Sequence, residues 1–205
     1  MMRDALQTYE ENDFQELEAE QDPFQEKPEP ILLGQSFYML EGLAYLMDNP
    51  RDCPIVAINN MIYGTIHVNI VPCDEDGNEE LNEDLITDDP MDLINQTLDF
   101  KVQITHCSNL PADFCTDIYV EYEFYMDKQK YVTPVCLGKS TNPQINFSRQ
   151  HHIDCVTKFL IDYLLEDKIV FKIYGTQDIK RKKKNVVTNS SAQINSKNPK
   201  PIFTP

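Results

Sequence analysis

Tryptophan is missing from the chain and glycine is scarce, six residues against thirteen prolines, so tyrosine and phenylalanine supply all of the aromatic mass. No stretch approaches the length of apolar sequence that would cross a bilayer as a helix. The opening "MMRDALQTYEENDF" lacks an apolar core segment, which points away from a secretory route. Closely paired cysteines are lacking too. Cys53, Cys73, Cys107, Cys115, Cys136 and Cys155 are widely spaced and sit mostly in apolar runs, the pattern of reduced core thiols in a cytosolic protein and not of a disulfide frame. Basic residues are nearly absent from the first half. Residues 1–99 hold 24 Asp/Glu and 3 Lys/Arg, residues 100–205 hold 10 and 15, and together they give the net charge of −16. Such a balance argues against nucleic acid as a partner, because phosphate contacts need clustered Lys and Arg.

The hydrophobic content of 41%, with 10% aromatic, is enough for one domain with a real core plus flanks. Residues 1–30 read as an acidic lead-in, a short helix or disordered, with faint helical spacing at Leu6, Phe14 and Leu17 stopped by Pro23, Pro28 and Pro30. From residue 31 the period changes. "CPIVAINNMIYGTIHVNIV" is two β-rich runs about Asn59-Asn60, and Ile66, Val68 and Ile70 alternate with Thr65, His67 and Asn69. An acidic insertion at 72–97 reads as too polar to pack. Three alternating strands follow, on Phe100/Val102/Ile104, Ile118/Val120/Tyr122/Phe124 and Ile169/Phe171/Ile173, with a helical turn or two in "TKFLIDYLLED" that places Phe159, Tyr163 and Leu164 on one side. Each strand has one apolar face that only a second layer can cover. The expected fold over 31–175 is therefore mostly β, an antiparallel β-sandwich with short helical turns. Residues 176–205 read as a disordered basic and polar tail.

Reactive constellations are weak. "GKST" at 138–141 imitates the end of a phosphate-binding loop, but the glycine required four residues earlier is Thr133, followed by Pro134, and a β pattern with proline follows where a helix is needed. Lys139 then reads as a solvent-facing loop residue. His151, His152 and Cys155 lack a second pair at metal-ligand spacing, and the abundant carboxylates lie in loops where nothing tunes their acidity. No catalytic, nucleotide, metal or cofactor residue is assigned.

The segments "LDFKVQITHCSNLPADFCTDIYVEYEF", "NPQINFSRQHHIDCV" and "LLEDKIVFKIYG" occur in an order that resembles the C2 domain, an eight-stranded β-sandwich. Its calcium loops are represented only by Asp113, Asp117 and Asp178, too few oxygen ligands for a hard cation, so the resemblance implies a module without strong calcium binding. A wider likeness runs from Gln21 to Gly175, through "EQDPFQEKPEPILLGQSFYMLEGLAYLMD" and "PIVAINNMIYGTIHVNIVP", with Asp22, Pro23, Phe24, Pro28, Leu33, Gly34, Gly64, Pro111, Tyr119, Phe147 and Tyr174 in order. It resembles the stalk of kinesin-3 motors with its degenerate C2-like domain. For a full-length relative this implies ATP-driven, microtubule-based transport of vesicles or organelles in the cytoplasm. The motor's phosphate loop is not in this sequence.

For this portion the resemblance implies a docking, autoinhibitory or cargo-adaptor role, with other stalk or motor segments and adaptor proteins as partners. Tyr119, Tyr125 and Tyr131, placed on outer strand faces, are the expected partner contacts. The acidic loop Asp74–Asp92 reads as a solvated insertion or a lure for a basic partner. The run Lys180, Arg181, Lys182, Lys183 and Lys184 reads as a solvated linker, an import signal, a grip on acidic protein or a contact for anionic membrane. Membrane binding is the secondary expectation. Against it stand the net charge and the want of an exposed apolar loop tip beyond Phe114.

Overall fold

The structure is a computed structural model and describes residues 29–79, 87–125 and 129–177. Residues 1–28 of the acidic lead-in and 178–205 of the tail, with Asp178 and Lys180 to Lys184, lie outside the described residues. The strands are β1 (Ile31–Met39), β2 (Arg51–Val56), β3 (Ile62–Cys73), β4 (Leu98–Ser108), β5 (Thr116–Tyr122), β6 (Tyr131–Val132), β7 (Cys136–Lys139), β8 (Gln144–Ile153) and β9 (Lys168–Thr176). The helices are short: α1 (Glu41–Ala44), a 3-10 turn (Pro90–Leu93) and α2 (Lys158–Glu166).

Every pairing is antiparallel, in the order β6-β5-β9-β1-β2-β3-β4-β8 with β7 also against β5. The expected antiparallel, sandwich-like architecture is present, with one refinement. Its two layers, β6/β7-β5-β9-β1 and β2-β3-β4-β8, belong to one curled sheet, and β1 meets β2 at the single pair Gln35 opposite Val56. By contrast β1 and β9 pair along their length from Ile31 opposite Gly175 to Met39 opposite Lys168.

The alternation read from the sequence sets the inner faces. Ile66, Val68 and Ile70 from β3, Phe100, Val102 and Ile104 from β4, Ile118, Val120 and Tyr122 from β5, and Ile169, Phe171 and Ile173 from β9 are all buried. Across the layers Tyr122 reaches β8, hydrogen-bonded at 2.9 Å to His151 Nε2. The His151 ring stacks on Phe100 at 5.1 Å and meets Tyr131 edge-on at 4.7 Å, while Phe124 lies 4.9 Å from Phe100. Gly64, at φ +98° within β3, is held so close to Ser108 and Asn109 that a Cβ would drive into their backbone. It and Gly34 lie inside strands; neither marks a turn.

Several local readings are corrected. In α2 the buried residues are Leu160, Ile161 and Leu164, whereas Phe159 is 78% exposed. Leu164 is buried as expected and Tyr163 is half-buried, and the Thr157 hydroxyl caps the helix by accepting from the Leu160 amide. The acidic stretch packs at both described ends. Lys101 Nζ donates to the Gly77 carbonyl and to Glu79, Gln150 donates to the Asp74 and Glu75 carbonyls, and Pro90 and Leu93 are buried. The tail begins later than residue 176, because Thr176 still belongs to β9 and its hydroxyl donates to the Thr116 carbonyl. All six cysteines are free thiols; Cys155 is exposed and Cys136 half-buried, and burial pushes the Cys107 thiol up to about 12.

Two tests follow from this packing. Tyr122→Phe deletes a buried inter-layer hydrogen bond and is expected to cost about 1–2 kcal/mol in urea denaturation. The second concerns His152, whose Nδ1 lies 2.9 Å from Asp99 and whose Nε2 lies 3.0 Å from Asp154. The bond to Asp99 and its charge, then Asp154, raise the imidazole pKa above its ordinary value. A raised folded pKa contributes stability that is whole below the unfolded value and is lost as pH rises through the folded one. Urea midpoints are therefore expected to fall as pH climbs past about 6.5, and His152→Ala should remove that part of the decline.

Candidate interaction surface

The outer face of the β5-β9-β1 layer is built from the residues that alternate with the core. Its strand register places Leu32 beside Tyr174 and Tyr174 beside Tyr119, the two tyrosine rings stacked at 5.0 Å and 8°. The next row is polar: Gln35, Lys172 and Glu121, with Lys172 Nζ 3.7 Å from Glu121 and 3.8 Å from Glu123. Beyond it Phe37 stands beside Val170, and Lys168 Nζ lies 5.7 Å from the Phe37 ring centre.

This face continues into a groove of about 430 Å³ where β1 and the β2–β3 hairpin diverge. Leu32, Gly34, Gln35 and Phe37 form one wall, and Val56, Ala57, Ile58 and Asn60 form the other. The hairpin turns at Asn60, φ +60°, closed by the Ala57 amide on the Met61 carbonyl. Ile58 at its tip is 101% exposed, Met61 and Ile62 are exposed beside it, and residues 53–66 contain no charged side chain. The opposite outer face is polar, carrying the His67–Asp52 pair, the His67–His106 stack, Lys101, Gln103 and Gln150.

The structure does not gather the three expected tyrosines. Tyr119 is on the outer face, half-buried against Tyr174; burial first, then Tyr174 and Glu121, raise its pKa. Tyr125 has a left-handed backbone, φ +51°, its amide donates to the Tyr163 hydroxyl, and its ring packs on Tyr163 at 5.0 Å. Tyr131 is corrected outright. It is 8% exposed and points into the core between Tyr122 and His151, with the Arg149 guanidinium 4.7 Å from its ring. Phe114 is half-buried against the core, so the apolar loop tip is Ile58, Met61 and Ile62 instead. The one sequence signal for this tip is its lack of charge, which buried strands share.

The GKST stretch is strand and turn. Lys139 ends β7 opposite Thr116, so it is no loop residue, the Gly138 amide donates to Asp117 at 2.8 Å, and β8 follows. Thr133 is buried, its hydroxyl accepting from the Val120 amide. Among the described residues no three His, Cys, Asp or Glu side chains gather as metal ligands, and no helix is long and apolar enough to cross a membrane.

The fold is thus a curled antiparallel sandwich with one polar face and one aromatic face opening into an apolar groove. No protein-family model matches the chain. It is similar to kinesin-like protein KIF28P of Homo sapiens, 25% identical over 182 residues covering 87% of this chain and 18% of that protein. Kinesin-like protein KIF28 of Rattus norvegicus and of Mus musculus each show 26% identity over 182 residues, 87% of this chain and 17% of theirs. The chain thus spans under a fifth of the length of these curated relatives and is similar, over most of its own length, to one segment of kinesin-like proteins.

Because Ile58 is fully exposed, Ile58→Asp is expected to shift stability by no more than about 0.5 kcal/mol. Thermal and urea melts of the variant against the parent chain check this.

Proposed function

We propose that the chain is a non-catalytic docking module of a kinesin-related protein, of the kinesin-3 type, built on a degenerate C2-like sandwich. The observation that carries this reading is the similarity of 87% of the chain to a single segment of kinesin-like proteins. The exposed face running from Tyr119 and Tyr174 to Leu32, Phe37 and Ile58 supports it, since aromatic and aliphatic anchors around a concave site are what protein partners bury. In this reading the partners are motor or stalk segments and cargo-adaptor proteins, held in cis or in trans, in the cytoplasm on microtubules. A full-length parent would move vesicles or organelles by hydrolysing ATP, with this module regulating or addressing that movement.

The test is a pull-down by the full chain against motor, stalk and adaptor segments of kinesin-like proteins, with anionic vesicles as a separate arm. Retention of a protein segment that weakens about ten-fold in Ile58→Asp or Tyr119→Ala supports docking at this face. Retention of vesicles alone assigns the hairpin tip to lipid and removes the docking reading.

A further inference from the structure

The groove between β1 and the β2–β3 hairpin has an apolar floor, an uncharged tip and a cation beside it. Lys168 sits over the ring of the groove residue Phe37, while Lys172, in register with the groove residue Gln35, is already engaged by Glu121 and Glu123. The chain enters the described structure at the mouth of this groove, through Glu29 and Pro30 into Ile31 and the lining residue Leu32. Residues 1–28 carry nine Asp/Glu against Arg3 and Lys27, interleaved with Leu6, Phe14, Leu17 and Phe24. That composition complements the groove twice, apolar side chains for its floor and negative charge for Lys168.

We propose that the acidic segment Met1–Pro28 docks in cis into this groove and covers the face that the proposed function assigns to partners. The inference rests on that reading and adds an occupant that partners must displace. Tethering makes the contact intramolecular, so weak apolar and ionic contacts suffice where the same peptide free in solution would dissociate. Reach is ample: the fourteen Cα steps from Phe14 to Pro28 extend up to about 46 Å, against roughly 17 Å of β1 from Leu32 to Phe37 along the groove. Pro28 and Pro30 favour a change of chain direction between the segment and β1.

The experiment places a photoreactive benzoylphenylalanine at position 58, which is fully exposed, in the full chain. A one-to-one mixture of isotopically light and heavy chains is irradiated and the cross-linked peptides are read by mass spectrometry. The expected product joins position 58 to residues 1–28 of the same chain, light to light or heavy to heavy. Its yield should fall about five-fold in Phe14→Asp/Leu17→Asp/Phe24→Asp and measurably in Lys168→Glu, and it should fall with added salt. Circular dichroism confirms that each variant keeps its sheet. Cross-links to residues 178–205, cross-links only between light and heavy chains, or no peptide cross-link would each overturn the proposal. Adding a kinesin motor or stalk segment separates the two readings. If that segment cross-links to position 58 while residues 1–28 do not, the cis contact fails and docking stands. Should neither cross-link, both readings fall.

Discussion

The whole fold depends on one junction being almost absent. With Gln35 and Val56 as the single ladder pair between β1 and β2, the two layers are joined along their strands at one point of backbone pairing. They are held by what their inner faces bury, and the polar heart of that interior is the Tyr122–His151 hydrogen bond enclosed by Phe100, Phe124, Phe147 and Tyr131. A buried imidazole is costly unless it is bonded, so this cluster fixes how the layers meet as well as how tightly.

The same divergence of β1 from β2 that leaves one ladder pair also opens the groove. Structure and surface are thus two results of one geometry: strands that splay apart expose the side chains lying between them. Polar groups on the opposite face use their hydrogen bonds on the docked acidic loop, through Lys101, Gln103 and Gln150. On the aromatic side Leu32, Phe37, Ile58, Met61 and Ile62 are left exposed as one run of apolar surface around the groove.

How far the sequence reveals this varies with the physical source of each feature. Strands β3, β4, β5 and β9 were legible because period-two alternation is imposed by burial of one face. Tyr131 was not, because β6 is two residues long and no alternation exists to say which way a side chain points. On α2 Leu164 was read on the buried side but Phe159 was wrongly placed with it, since a dense run of apolar letters fits more than one helix face. Lys139 was taken for a loop residue because β7 is four residues interrupted by the left-handed Gly138. For the surface, only Tyr119 was picked out in advance. The hairpin tip escaped notice because Ile58 and Ile62 carry the same letters as buried Ile55 and Ile66, and exposure is a property of topology that a linear pattern does not carry.

Ile31 lying opposite Gly175 means that the first and last strands are neighbours with their outer ends at the same edge. A pull applied through both ends would load the β1–β9 ladder from that edge, breaking its hydrogen bonds one after another in the manner of a zip and not all together in shear. Under mechanical load, such an arrangement yields progressively from the terminal edge while the opposite layer, anchored on β3 and β4, bears none of the first strain.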